Sequence, residues 1–197
     1  MGENRMSIVP KHLTDRIGTI KVLIVDDDYY MRKVVRTMLS VIGVRHIHEA
    51  VDGVAGLAAI REVTPDIVLV DWEMPGLDGM QFVRTVRSPG NFPAPDVPII
   101  MLTGHGDRWR VVEAARIGVH EYLLKPVSTK SLLDRIVLVL SNPRPIVQFT
   151  GYYGPAPRKS VAPPTEAEAQ VAERSDVIML ACAPSPLPSA FLAVDPG

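Results

Sequence analysis

Three runs of four apolar residues, each closed by a polar one, constrain this chain more than any other feature. VLIV at 22–25 precedes Asp26-Asp27-Asp28, IVLV at 67–70 precedes Asp71, and IIML at 99–102 precedes Thr103. Short apolar runs rich in β-branched residues read as strands, and the lack of polar alternation places both faces of each strand in a core. Between them the period changes. Met31, Val34, Val35, Met38, Leu39 and Ile42 recur at helical spacing, with Asp28 as a plausible N-cap and Gly43 as a stop. The same reading gives a polar strand at 45–49, a helix at 53–63 capped by Asp52, and helices at 78–87, 107–117 and 128–140. A last strand follows at 121–124. Five strands alternating with five helices predict a doubly wound parallel sheet covered on both faces, with right-handed crossovers.

In such open sheets, ligands bind beyond the carboxyl ends of the strands. The residues there are Asp26 and Asp27 after the first strand, Asp71 after the third, Thr103 after the fourth and Lys125 after the fifth. Should the first and third strands be neighbours, three carboxylates converge. Such a cluster is costly unless it takes up protons or a cation. A hard divalent ion with oxygen ligands, Mg²⁺, suits it. A metal, a lysine and a hydroxyl around one carboxylate suit phosphoryl transfer onto that carboxylate, because each stabilises charge on the moving group.

The segments VLIVDDD (22–28), DIVLVDWEMPGLDGM (66–80), VPIIMLTG (97–104) and EYLLKPVS (121–128) resemble a CheY-like receiver domain of bacterial two-component response regulators. The likeness spans about 120 residues, and several motifs in register on successive strands are far more specific than any one of them. It implies the strand order 2-1-3-4-5. It implies Asp71 as phosphoacceptor, with Asp27, Asp71 and the backbone carbonyl of Glu73 around Mg²⁺ and Asp26 acting largely through water. Lys125 would pair with the phosphoryl oxygens, and Pro126 after it would follow a cis bond. Thr103 would turn toward the phosphoryl group and draw Tyr122 inward. That links the site to the face made by the fourth helix of the series, the fifth strand and the fifth helix. Glu73 and His105, each two residues beyond a site residue, would flank the path of the attacking water and tune the phosphoryl lifetime. Either they pair over the phosphoryl group, or both face solvent.

The resemblance implies partners: a sensor histidine kinase or a histidine phosphotransfer protein upstream, and an unidentified protein target downstream. It leaves two other readings open, a phosphorelay intermediate or phosphate sink, and a transcription regulator with its output hidden in the tail. Lys and Arg number 21 against 22 Asp and Glu, with no basic segment, so a nucleic-acid partner is not expected. Cys182 stands alone, which excludes a disulfide framework or a cysteine-rich zinc site. The longest wholly apolar run is 177–183 and the N-terminus is polar, so neither membrane insertion nor export is expected and the cytoplasm is the expected compartment.

Organisation follows the prolines. The reading gives a flexible arm at 1–19, a receiver domain at 20–141 and a Pro/Ala-rich tail at 142–197, mostly disordered or serving as a docking segment. Within that tail, 142–164 reads as extended, 165–174 as a short capped helix, and 177–183 as an apolar stretch that either docks elsewhere or packs on the receiver. Trp72 reads as a surface aromatic beside Asp71, and Trp109 as either partly buried or a docking residue. His46 and His48 share one strand face without a third ligand nearby in sequence; His12 and His120 carry no readable role.

Overall fold

The computed structural model describes residues 11–104 and 106–157. Its centre is a five-stranded parallel sheet in the order β2-β1-β3-β4-β5. The strands are β1 (Lys21–Val25), β2 (His46–Ala50), β3 (Ile67–Asp71), β4 (Ile99–Thr103) and β5 (Glu121–Leu124). Six helices surround it: α1 (Lys11–Thr19), α2 (Tyr29–Ile42), α3 (Gly53–Val63), α4 (Gly79–Val86), α5 (Arg108–Arg116) and α6 (Thr129–Ser141). Alternate residues of each strand enter opposite cores. Val22, Ile24, Ile67 and Leu69 pack with Leu13, Ile17, Leu39 and Ile136, on the side of α1, α2 and α6. Leu23, Val25, Val68 and Val70 pack with Ile60, Phe82, Val83 and Ala114, on the side of α3, α4 and α5. Every residue of β3 and β4 is buried, as uninterrupted apolar runs require.

Two expectations at the ends of the chain are corrected. The arm expected over 1–19 is, from Lys11 to Thr19, a helix whose Leu13 and Ile17 are buried, with Ile20 continuing the i, i+4, i+7 stripe into the core. This raises the number of helices from five to six, and Arg16 Nη1 fastens the helix by donating to the Leu140 carbonyl at 3.0 Å. Residues 1–10 lie outside the described part.

At the other end, the described part of 142–164, residues 142–157, is not simply extended. An antiparallel hairpin forms from β6 (Ile146–Phe149) and β7 (Tyr152–Pro155), turning at Thr150-Gly151 with Gly151 at φ 79°. A two-residue turn ending in glycine between Ile-Val-Gln-Phe and Tyr-Tyr carries the hairpin, while the neighbouring prolines stand before and at the end of its strands. The compact unit therefore runs to Ala156, past the boundary expected at 141. The expected helix at 165–174 and apolar segment at 177–183 lie outside the described residues.

The hairpin seats itself through a glycine pair. A Cβ at Gly154 would lie 2.7 Å from the Gly118 Cα, and one at Gly118 would lie 2.8 Å from the Tyr153 carbonyl oxygen. Arg144 donates to the carbonyls of Val119 (3.3 Å) and His120, and Tyr153 Oη donates to Asp96. These contacts place the hairpin at the amino ends of β4 and β5.

Candidate functional site

Strand register builds the site. Val25 lies opposite Val70 in the parallel pair β1–β3, so the next residues, Asp26 and Asp71, come side by side. Asp71 pairs with Leu102 across β3–β4, and Thr103 with Leu124 across β4–β5, which brings Thr103 and Lys125 to the same edge. Oxygens of Asp26, Asp27 and Asp71 lie within 4.8 Å of one another. Lys125 Nζ faces two of these carboxylates, at 2.9 Å from Asp71 Oδ1 and 3.2 Å from Asp26 Oδ2. Thr103 is fully buried at the end of β4, Tyr122 is half-buried beside the second core, and the Lys125–Pro126 bond is cis.

Local chemistry fixes each carboxylate. Asp26 accepts from the Asp28 backbone N–H at 2.8 Å, and Asp28 in turn caps α2 by accepting from Tyr30 N–H at 2.7 Å. Asp71 Oδ1 accepts from Trp72 N–H at 2.8 Å. Gly79 opens α4 directly behind the acceptor: a Cβ there would lie 2.1 Å from the Asp71 carbonyl oxygen, so only glycine admits this helix end. Asp78 supplies its capping box with Gln81.

Burial pushes the Asp71 carboxyl above its ordinary value and the Asp26 charge adds to this, although Lys125 and the Trp72 N–H pull the other way. Burial works to lower the Lys125 ammonium, but the hydrogen bonds and charges of Asp71 and Asp26 outweigh it and hold it above its usual value. The two directions agree physically: the pocket holds more negative charge than one lysine neutralises. The donor set is all carboxylate oxygen, two of the three residues are buried, and the charge is unbalanced, which fits a hard divalent cation.

One residue of the site escapes sequence reasoning. Arg32 is buried on α2 and its Nη1 donates to the carbonyls of Asp26 at 2.8 Å and Asp27 at 3.1 Å, fastening the acidic turn from below. Its Nε lies 3.6 Å from Glu49 Oε2. The signal was present, since position 32 shares the inward face of the helix with Val35 and Leu39.

Of the lifetime pair, only Glu73 lies among the described residues. The Glu73 side chain is exposed, yet its Oε1 accepts from Arg110 Nη1 at 3.3 Å; His105 lies outside the described residues. Trp109 is 61% exposed, and Trp72 is half-buried against the second core. His46 and His12 are exposed and His48 is half-buried, with none of them in an acidic or metal-like group among the described residues. His120 has a role after all, structural and at the opposite end of the sheet.

Residues 22–137 match the family model of the response regulator receiver domain. The chain is 32% identical over 117 residues to chemotaxis protein CheY-3 of Vibrio cholerae, covering 59% of this chain and 88% of that protein. It is 33% identical over 124 residues to chemotaxis protein CheY1 of Helicobacter pylori, covering 62% and 98%. Among solved structures, Vibrio cholerae CheY4 superposes with a TM-score of 0.54 at 31% identity, covering 59% of this chain and 95% of that one. Helix α1 and the hairpin lie outside the family match.

Proposed function

The chain belongs to the response regulator receiver family, and from that premise we propose that it takes a phosphoryl group from a histidine kinase or histidine phosphotransfer protein onto Asp71. The observation that carries this reading is the buried Asp71 carboxylate, 2.9 Å from Lys125 Nζ and within 4.8 Å of the Asp26 and Asp27 oxygens. Both the Trp72 N–H and Lys125 engage Oδ1, which leads us to assign Oδ2 to the new bond. In the transfer, the phosphohistidine N–P bond breaks as the Asp71 O–P bond forms, and the imidazole leaves with the electron pair and picks up a proton. Lys125 then pairs with the phosphoryl oxygens, and Thr103 donates its hydroxyl to them. Asp26, Asp27, Asp71 and the Glu73 carbonyl would hold Mg²⁺, which when bound supplies positive charge to the oxygens of the moving group.

Two residues support a reading of the output. Thr103 lies beside the acceptor and Tyr122 on the neighbouring strand, so a Thr103–Tyr122 rearrangement would alter the face of α5, β5 and α6, the renumbered form of the face expected from sequence. We assign protein binding to that face, in a chain that assists its own phosphorylation and dephosphorylation without acting on an external substrate. Glu73 tunes the lifetime at the rim. No described helix is long and apolar enough to cross a membrane.

The test is intact-mass spectrometry after incubation with Mg²⁺ and acetyl phosphate. One phosphoryl adduct on the native chain and none on Asp71→Asn is the expected result. An adduct that survives in Asp71→Asn, or none on a folded native chain even with a beryllium fluoride trap, would overturn the assignment.

A further inference from the structure

Arg110 belongs to the first turn of α5, where an exposed cation would be ordinary, yet its side chain is only 17% exposed. Its guanidinium lies over two indoles, with Cζ 5.2 Å from the Trp72 ring centre and 5.1 Å from that of Trp109. Nη1 donates to Glu73 Oε1 at 3.3 Å, and Nε stands 3.9 Å from Asp107 Oδ2, buried and without a hydrogen-bond partner among the described residues. Trp72 and Glu73 are the two residues directly after Asp71, and the Trp72 N–H is bonded to Asp71 Oδ1. A cation from one helix is thus stacked on, and paired with, the segment that carries the acceptor.

The charge balance gives this arrangement a consequence. Among the described residues, and before any Mg²⁺ binds, Asp26, Asp27 and Asp71 in the pocket and Glu73 at its rim set four carboxylates against the ammonium of Lys125. A phosphoryl donor is itself anionic, and a site lined by one sign of charge repels ligands of that sign. A planar guanidinium can stack on aromatic faces while still donating along its edge, which a lysine cannot do. Stacking therefore fixes where the Arg110 charge stays, and the ion pair fixes where the Glu73 carboxylate stays.

We propose that Arg110 is a positioning residue for phosphoryl entry: acting through Glu73, it neutralises the rim carboxylate and holds it aside, so that an anionic donor reaches Asp71. The inference rests on the reading of Asp71 as phosphoacceptor. It concerns a residue of α5, and it explains why that side chain is largely enclosed against two indoles.

The experiment measures the rate of phosphoryl-adduct formation by intact mass, on the full chain with Mg²⁺ and acetyl phosphate at low ionic strength. Native chain, Arg110→Gln, Glu73→Gln and the double variant are compared. Arg110→Gln is expected to slow the reaction by about three- to tenfold, and Glu73→Gln to quicken it. The double variant should return to the Glu73→Gln rate, because without the Glu73 carboxylate the arginine has no rim charge beside the acceptor to neutralise. The Arg110→Gln deficit should also shrink at about 0.5 M salt, where screening is strong. An equal, salt-insensitive deficit in both Glu73 backgrounds would overturn the proposal, leaving Arg110 as a prop for the indoles. So would a native rate in Arg110→Gln. Absence of any adduct on the native chain would instead strike the Asp71 reading itself, and this inference with it.

Discussion

The two ends of one sheet bury charge in opposite ways. At the carboxyl end, Asp26 and Asp71 are 1% and 7% exposed and share one lysine, so negative charge is in excess. At the amino end, Arg87 and His120 are equally buried but fully engaged. Arg87 caps α4 and donates to the carbonyls of Gly118 (2.9 Å), Val97 (2.8 Å) and Pro95, and its Nη2 lies 3.2 Å from His120 Nδ1. Ile99 N–H, 3.3 Å from that same nitrogen, makes it the acceptor and leaves the ring neutral. An unbalanced pocket is suited to gaining a partner. A saturated network is suited to holding the loop 88–97, the α5–β5 junction and the hairpin in place.

The largest expected effect comes from removing the cation at the saturated end. Arg87→Met leaves two buried carbonyls and a half-buried one without their charged donor and should cost about 3 kcal/mol or more. Urea unfolding reads the loss, while Asp71 phosphorylation, measured well below the unfolding midpoint, should persist. Loss of phosphorylation in a chain still folded would break the separation between the two ends. Next comes Gly118→Ala. At φ 94° with the Tyr153 carbonyl 2.8 Å from the added Cβ, it combines a left-handed strain with a clash, at about 2 kcal/mol. Thermal unfolding should show this drop, and an unshifted midpoint would mean that the hairpin does not need its seat.

Acid sharpens the comparison further. Burial, then the charges of Arg87 and Arg144, push the His120 imidazole down to about 3. The folded ring is therefore neutral where the unfolded ring, with an ordinary value near 6.5, takes up a proton. Stability from this group is complete above about pH 6.5 and is lost as pH falls toward 3, by up to about 1.4 kcal/mol per pH unit. His120→Asn keeps an acceptor near the Nδ1 position without titrating, so its stability should fall less steeply between pH 6.5 and 4. Equal slopes in urea titrations of the two chains would show that the histidine is not what makes the amino end acid-sensitive.

Why one end was legible in the sequence and the other was not follows from the same contrast. The carboxyl-end groups follow apolar runs directly, so register alone gathers Asp26, Asp71, Thr103 and Lys125. The strand order itself came through the resemblance. At the amino end, Arg87, His120 and Arg144 come from a helix cap, a strand entrance and a post-helical turn, with no spacing between them to read. Their partners are mostly backbone carbonyls, which every residue offers. Arg32, Leu13 and Ile17 all stand at periodic inward positions, but a charge at the first of them breaks the apolar pattern that marks a core face. The Arg110–Glu73 pair depends on how the turn after β3 folds toward α5, and two residues 37 apart in sequence carry no mark of it.

The smallest effect tests the unbalanced end directly. In Asp26→Asn, the amide oxygen can keep the Asp28 N–H bond made by Oδ1, the amide NH2 takes the place of the Oδ2 that faced Lys125, and Lys125 keeps its bond to Asp71. What disappears is one of two buried like charges, together with one of the two carboxylate contacts of Lys125. Without divalent cation, stability should therefore rise, by about 1 kcal/mol, while Mg²⁺ affinity, followed through the fluorescence of Trp72 beside the site, should fall. Opposite signs for stability and metal binding are what an imbalance maintained by surrounding packing predicts. A fall in stability of similar size, in chelator, would instead mean that Lys125 requires both carboxylates. The pocket would then be a balanced clamp like the one around Arg87, and the difference between the two ends would lie in their solvent access and not in their charge.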